Sequence, residues 1–286
     1  MNTVLIAGYP KSGNTLIGQS INLAGNVKGV FDIYSLKKNG KTPSLNPIFK
    51  DAVCSIKTHD NWDPKHNIHD LYYGKVLKVI VINRNPFDTL LSGINFFRIT
   101  YKTHGLNDFQ KRSLHKLFPR FKVDDDFLDN FTLENLKQEG RLDIALNRFS
   151  EDGTSFLNFY RNSGTWSGFA NSYEHSGLPI LKIRYEDLEK ISIDSFNGKG
   201  NTNPYLLKIS SFLEVDHENL AKGFALQRSN ANKENANTKT NVKFMNKMAS
   251  GYWKDYLSLK NCRTFVRKNY HAMLINGYEE LIEEVL

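Results

Sequence analysis

Short apolar runs alternate along the chain with longer segments whose apolar positions recur at helical spacing. The run KVLKVIVIN is β-branched and nearly continuous, which is typical of a central parallel strand buried on both faces. Alternating strands and helices predict an α/β fold with a central parallel sheet flanked by helices. The predicted strands are Val4–Ala7, Ala52–Lys57, Lys75–Asn83 and Leu178–Ile183, and the predicted helices are Thr15–Ala24 and Phe87–Phe97.

Two segments interrupt this alternation. Residues 100–162 carry scattered aromatic side chains and the charged stretch VDDDFLD, and we expect helical insertions beside the sheet. Residues 229–241 read SNANKENANTKTN, with almost no apolar content, which predicts a mobile loop. Because no repeat and no Pro-rich or Gly/Ser linker divides the sequence, residues 1–286 are expected to form a single domain.

Composition narrows the classes of protein to consider. Two cysteines in 286 residues exclude a disulfide scaffold, and no apolar run is long enough for a signal peptide or a membrane span. We therefore expect a cytoplasmic protein with no membrane partner. The net charge of +8 suits an anionic partner or a plain basic surface, but no Lys/Arg run and no RNA-binding or zinc-finger pattern supports nucleic acid.

A glycine-containing loop joins the first predicted strand to the first predicted helix. The residues Gly8 to Thr15 read GYPKSGNT, one position away from the nucleotide-binding P-loop. Asn14 stands where the P-loop has its lysine, and Lys11 places a basic side chain inside the loop instead. Backbone N–H groups of such a loop and the following helix N-terminus favour an anion, so the sequence predicts a phosphate site.

Further basic groups follow the other strands. Lys57 and His59 are two residues apart at the end of the second predicted strand and share one side of it. Arg84 ends the third strand, with Ser92 two helical turns later, and together they suit a second phosphate. An alternative is that Arg84 pairs with Asp88, four residues on. Ligands of open α/β sheets bind beyond the carboxyl ends of the strands, where these groups fall.

Five colinear motifs resemble those of the cytosolic sulfotransferases. The loop YPKSGNT resembles the 5′-phosphosulfate loop YPKSGTTW of that family, and KTH at 57–59 resembles its catalytic K-T-H. RNPFD with Ser92 resembles its 3′-phosphate site, with the same interval from arginine to serine. The segment RYEDL at 184–188 resembles its Y-E-D-L, and FMNKMASGYWK at 244–254 resembles F-M-R-K-G-x-x-G-D-W-K.

The resemblance implies in-line transfer of a sulfuryl group from 3′-phosphoadenosine 5′-phosphosulfate (PAPS) to a small hydroxyl or amine acceptor, without a metal, leaving 3′-phosphoadenosine 5′-phosphate (PAP). By the same resemblance His59 is the general base, and Lys57 and Lys11 stabilise the transferring group. Leu16 stands at the family's tryptophan, Asn246 at its arginine and Met248 at its glycine. The implied donor-binding residues are Lys11, Ser12, Gly13, Asn14, Thr15, Leu16, Arg84, Ser92, Tyr185, Ser229, Phe244, Met245, Asn246 and Lys247.

Two other functions fit parts of the pattern. A P-loop kinase or NTPase also binds an adenine nucleotide between a strand and a helix, although it requires a lysine at position 14 and an aspartate closing a hydrophobic strand. A non-catalytic module that binds a polyanion would use the basic surface and leave His59 without a role. Preference for PAP without a metal, over ATP with Mg²⁺, would distinguish the enzyme from both.

The resemblance also places the acceptor pocket. Phe96 and Tyr101 fall where the family builds it.

The oligomeric state is expected to differ from that of the family. Many cytosolic sulfotransferases dimerise through K-x-x-x-T-V-x-x-x-E after the W-K pair, but here Arg263 replaces the glutamate opposite Lys254. A two-fold contact would then join like charges, so we expect a monomer or a dimer through another surface.

Overall fold

The computed structural model describes residues 2–24, 27–32, 53–59, 61–62, 76–151, 164–237 and 250–286. Within them lies a five-stranded parallel sheet in the order β2-β3-β1-β4-β5. The α/β prediction is confirmed, with each predicted strand found to within two residues at its start. The strands are β1 (Asn2–Gly8), β2 (Val27–Asp32), β3 (Val53–Thr58), β4 (Val76–Asn83) and β5 (Ile180–Arg184).

The edge strand β2 was not predicted from the sequence. Its residues VKGVFD include a glycine and two charged side chains, which weaken the apolar signal of a strand. Among the described strands it pairs with β3, through a parallel ladder.

Alternate residues of the central strands face two separate apolar clusters. Leu5 of β1 and Val79 of β4 point into one cluster, and Ile6 and Ile80 point into the other. All four side chains have no exposed surface. Because both faces of the sheet are covered in this way, these strands read as continuous apolar runs in the sequence.

The helices cover both faces of this sheet. The first cluster includes side chains of the helices that follow β4, and the second includes side chains of the helix that begins at Asn14 and of the helices that follow β5. The helices are α1 (Asn14–Leu23), α2 (Pro86–His104), α3 (Asp108–Leu117), α4 (Asp125–Asp129), α5 (Leu133–Gln138), α6 (Arg141–Glu151), α7 (Trp166–Ser172), α8 (Tyr185–Phe196), α9 (Pro204–Leu213), α10 (His217–Asn237), α11 (Leu259–Ile275) and α12 (Glu279–Val285).

The helix α2 begins as its sequence predicts and runs further. Asn85 caps it, with its side-chain oxygen accepting from the N–H of Phe87 at 3.0 Å, and Pro86 occupies the first turn. The helix ends at Gly105, whose φ of 72° suits glycine. Of the predicted insertion, residues 108–151 form the helices α3 to α6, as expected, while 152–162 lie outside the described residues.

The prediction of a mobile loop over residues 229–241 is wrong for residues 229–237. These residues form the C-terminal part of α10, and 238–241 lie outside the described residues. The first part of α10 packs on α1, where Gln227 donates from Nε2 to Gln19 at 3.2 Å. Once a helix has formed, adding residues to it costs little, and the alanine, lysine and glutamate of this segment are good helix formers, although the segment has few apolar residues.

The segment from Lys254 to Arg263, where the sequence predicts no family-type dimer contact, lies against the C-terminal helix of its own chain. Lys254 forms an ion pair with Glu284, and Arg263 donates from Nε to the carbonyl of Val285 at 3.0 Å. Like-charged Lys254 and Arg263 are thus each occupied within the chain. In the described part of the chain, no helix has the length and apolar character required to span a membrane.

The contact between α1 and α10 depends on Gly223. A Cβ there would lie 2.1 Å from the carbonyl oxygen of Ser20 and 3.0 Å from the N of Ala24. Glycine to alanine in a helix normally adds about 1 kcal/mol of stability. We expect Gly223→Ala instead to lower the free energy of unfolding by about 1–3 kcal/mol, since the helices must separate.

Urea denaturation measures this change, with Lys222→Ala on the exposed side of α10 as the matched control. An increase in stability for Gly223→Ala would contradict the close packing of these two helices.

Candidate active site

The loop between β1 and α1 is a tight turn that opens towards the carboxyl edge of the sheet. The N–H of Ser12 donates to the carbonyl of Tyr9 at 3.0 Å, and two residues take positive φ, Lys11 at 70° and Gly13 at 98°. Tyr9 is buried, and its ring lies at an angle to those of Phe149 and Phe169, at 6.2 and 5.9 Å between centroids. The core thus fixes the start of the loop, and α1 fixes its end.

Asn14, the first residue of α1, turns its side chain back towards the strands. Its Nδ2 donates to the carbonyl of Thr58 at 2.8 Å and more weakly to that of Gly8 at 3.4 Å. Only 3% of the residue is exposed. The carboxamide therefore joins the end of β1 to the end of β3. Contact of Asn14 with the donor stays a prediction.

His59 lies directly after β3 with 8% of its surface exposed. Its Nδ1 is 2.6 Å from the carbonyl oxygen of Gly8 and 3.4 Å from Nδ2 of Asn14. Because a carbonyl can only accept, Nδ1 carries the proton, and in the neutral ring Nε2 is the basic nitrogen. Such a tautomer suits a general base that acts through Nε2.

Lys11 and Lys57 bring two positive charges to the same region. Nζ of Lys11 lies 4.5 Å from the centroid of the Phe96 ring, which places that ring beside the loop lysine. Burial, together with the charges of Arg84 and Lys57, lowers the pKa of Lys11 to about 8. A bound anion would favour the protonated, positively charged form of Lys11. The loop therefore suits an anionic ligand.

Arg84 and Tyr185 form the next part of the site. The guanidinium of Arg84 lies 4.2 Å from the centroid of the Tyr185 ring and donates to the carbonyl of Lys11 at 3.1 Å. The same ring covers Gly13, where a Cβ would lie only 2.5 Å from Cδ2 of Tyr185. Trp166 donates from its indole N–H to the carbonyl of Arg84 at 3.0 Å. Arg84 is therefore held from several sides, with 6% exposed.

The hydrogen bonds of Asp88 go to backbone N–H groups near the C-terminal end of the chain and not to Arg84. Its carboxylate accepts the N–H of Gly251 at 2.7 Å and the N–H of Trp253 at 3.2 Å. The alternative of an Arg84–Asp88 pair is thus not found among the hydrogen bonds of the described residues. Asp88 instead anchors the segment that follows residues 244–249.

Two glutamates to which the sequence assigned no role hold neighbouring parts of the chain. Glu186 accepts from the N–H of Asn85 at 3.0 Å and from the hydroxyl of Tyr278 at 3.2 Å. Glu189 accepts from the N–H of Ser250 at 3.1 Å and also from its hydroxyl. Glu186 lies within the RYEDL motif, which was a usable signal, but no pattern singles out Glu189.

Two buried donors of the site have no hydrogen-bond partner within the described part of the chain. They are Oγ of Ser12, which has no exposed surface, and Nε of Arg84. Buried donors normally find partners, and a phosphate or sulfate oxygen would supply one for each. The loop and Arg84 thus fit an anionic ligand such as the nucleotide implied by the motifs.

The other predicted donor residues differ in placement. Thr15 is exposed, Ser92 is half-buried on α2, and Ser229 is half-buried on α10. Leu16 is 6% exposed and packs in the apolar cluster beneath the loop, so a contact with the base stays a prediction. Residues Phe244, Met245, Asn246 and Lys247 lie outside the described residues.

Most of the chain matches one known protein family. The family model described as "Sulfotransferase domain" matches residues 1–277. A search of curated proteins finds no match. Mouse sulfotransferase SULT7A1 complexed with PAP is similar in structure, with a TM-score of 0.53 and 18% identity over 99% of this chain and 87% of that one.

Retinol dehydratase is similar in two further structures, each at 14% identity over 95% of this chain. Its complex with androsterone and inactive cofactor PAP has a TM-score of 0.51 over 80% of that chain. Its complex with retinol and PAP has a TM-score of 0.50 over 81% of that chain. At these identities the likeness concerns the fold.

Burial raises the pKa of three carboxyls near Arg84, those of Asp88, Glu186 and Glu189. Folded Glu186 therefore keeps its proton to higher pH than it does in the unfolded chain, whose ordinary value is 4.5. The free energy of unfolding should fall as pH rises through the folded pKa. We expect the wild type to lose stability relative to Glu186→Gln as the pH rises from the ordinary value of 4.5 through the raised pKa of the folded state.

Urea denaturation at several pH values measures the difference, with Glu283→Gln on the exposed side of α12 as the control for net charge. A difference that instead grows in favour of the wild type with rising pH would show that Glu186 is stabilised as a carboxylate.

Proposed function

The chain belongs to the sulfotransferase domain family, and from this premise we propose that it transfers a sulfuryl group from PAPS to a hydroxyl or amine of a small-molecule acceptor. One observation carries the proposal: Lys11, Lys57, His59 and Arg84 converge at one edge of the sheet. Burial, Arg84 and Lys57 together lower the pKa of Lys11, which supports their proximity. Nδ1 of His59 lies 2.6 Å from the carbonyl oxygen of Gly8, at the start of the same loop.

The roles of the residues follow from their charge and position. The donor nucleotide supplies the sulfuryl group and a phosphate leaving group. Lys11 and Lys57 would offset negative charge on the sulfuryl and phosphate oxygens, where a buried cation acts more strongly than it does in water. His59 would accept the proton of the acceptor at Nε2, since Nδ1 donates to Gly8.

The nucleotide would be held by two phosphate positions. The N–H groups of the loop, Oγ of Ser12 and the start of α1 suit the 5′-phosphosulfate. Arg84 suits the 3′-phosphate, because its Nε is buried without a partner among the described residues. By its place in the RYEDL motif Tyr185, whose ring lies beside Arg84, would contact the base. Contacts from Ser92, Ser229 and residues 244–247 belong to the same proposal.

A binding measurement tests this function directly. Isothermal titration calorimetry should show that PAP binds in the presence of EDTA and binds more tightly than ATP with Mg²⁺. PAPS consumption is then followed with a panel of phenols, alcohols and amines to find the acceptor class. Tighter binding of ATP with Mg²⁺ would favour a nucleotide kinase, and retention on a sulfated polymer without PAP binding would favour a polyanion-binding module.

Removal of the proposed base or lysine should slow the reaction. We expect His59→Ala and Lys57→Ala each to lower kcat by about 10²–10⁴-fold while PAP affinity changes only a few-fold. His104→Ala and Lys116→Ala, at exposed positions, serve as matched controls. Turnover close to that of the wild type in either variant would remove that residue from the mechanism.

Removal of Arg84 should affect the 3′-phosphate specifically. We expect Arg84→Ala to weaken PAP binding by about 1.5–3 kcal/mol, the value of a hydrogen bond to a charged group. Adenosine 5′-phosphosulfate lacks the 3′-phosphate and should lose little affinity. Equal losses for the two nucleotides, measured by calorimetry, would place Arg84 at a different part of the ligand. Lys116→Ala controls for the change in net charge.

A further inference from the structure

We propose that Gly8 and Asn14, hereafter the Gly8–Asn14 pair, position His59 and do not bind phosphate through the Asn14 side chain. This inference rests on the proposed function, because it assigns the pair to the base of that reaction. The motif alone suggests the opposite, since Asn14 stands where a P-loop has its phosphate-binding lysine.

The polar atoms of the pair face His59 and its strand. Both N–H groups of the Asn14 carboxamide are directed at backbone carbonyls, that of Thr58 at 2.8 Å and that of Gly8 at 3.4 Å. Thr58 is buried and directly precedes His59. The carbonyl of Gly8 also receives Nδ1 of His59 at 2.6 Å. The carbonyl of Gly8 thus accepts hydrogen bonds from both His59 and Asn14, and Asn14 also binds the backbone next to His59.

The remaining polar atom of Asn14 is unsuited to an anion. Its Oδ1 is buried without a partner in the described part of the chain, and it lies against the Cα side of Gly8. An amide oxygen only accepts hydrogen bonds, so a phosphate oxygen gains nothing from it. Oγ of Ser12, in contrast, is a buried donor without a partner among the described residues.

Gly8 is required by Asn14 and not by the backbone conformation. A Cβ at residue 8 would lie 1.8 Å from Oδ1 and 2.8 Å from Cγ of Asn14. Gly8 ends β1 and pairs with Ile82 of β4, without a positive φ. The absence of a side chain therefore makes room for the carboxamide that reaches Thr58.

The consequence for the base is a fixed tautomer. With Nδ1–H donated to the Gly8 carbonyl, the neutral ring has its lone pair on Nε2. Asn14 fills the space beside this hydrogen bond, 3.4 Å from Nδ1, and keeps water from the carbonyl. Asn14 acts through His59 and is thus a positioning residue.

The first test is spectroscopic and uses the protein without ligand. Proton–nitrogen NMR should identify His59, by comparison with His59→Ala, as the Nδ1–H tautomer with a slowly exchanging N–H. In Asn14→Ala this proton should exchange with water at least about tenfold faster, because the carbonyl is opened to solvent. An Nε2–H tautomer in the wild type, or an unchanged exchange rate in Asn14→Ala, would overturn the proposal.

The second test separates positioning from phosphate binding. PAP affinity, measured by calorimetry, should stay within about threefold for Asn14→Ala and fall by about tenfold or more for Ser12→Ala, which loses a donor to a charged group. Comparable losses in the two variants would make Asn14 a phosphate ligand and refute the inference. If the wild type does not bind PAP, the proposed function fails, and the NMR result still decides the role of the pair.

A double-mutant cycle tests the contact between the two residues. Gly8→Ala should lower the melting temperature by about 5 °C in the wild type, as overpacking of a buried site does. In the Asn14→Ala background the same substitution should cost less than half as much, because the atoms it meets are gone. Additive effects would show that the two side chains do not share this space.

Discussion

The parallel register of four strands is the constraint on which the site depends. Ala7 of β1 pairs with Thr58 of β3, Gly8 pairs with Ile82 of β4, and Asn83 of β4 pairs with Arg184 of β5. The strands therefore end side by side, and the residues after them meet at one edge. A register shift of one residue would turn each of these side chains to the opposite face.

Charge at this edge is divided between two tasks. The carboxylates of Asp88 and Glu189 accept backbone N–H groups of residues 250–253 and so fix the segment that follows 244–249. Arg84 donates to a carbonyl and lies on the Tyr185 ring, and no carboxylate neutralises it by a direct hydrogen bond among the described residues. The positive charges of Arg84 and Lys11 thus stay available to an anion, and the lowered pKa of Lys11 reflects first its burial and then the nearby charges of Arg84 and Lys57.

Sequence patterns predicted the sheet and the location of the site because both depend on local signals. Buried β-branched runs such as Lys75–Asn83 can form little else than central strands, and a glycine loop before a helix favours an anion wherever it occurs. The same local signals failed for β2, a short edge strand with charged residues, and for residues 229–237, a polar helix end. The strand β2 is held by its hydrogen bonds to β3, and residues 229–237 continue a helix whose earlier part is packed. The residues of these two elements therefore carry no strong pattern of their own.

By itself the sequence determined the fold class, the family motifs and the order in which Lys11, His59 and Arg84 reach the edge of the sheet. Only the tertiary structure decided what these residues contact: that Asp88 holds Gly251 and Trp253, and that Asn14 reaches back to Thr58. A hydrogen bond between residues 44 or 163 positions apart has no signature in either local sequence. Its existence depends on where the strands bring the two backbones, which is a property of the whole fold.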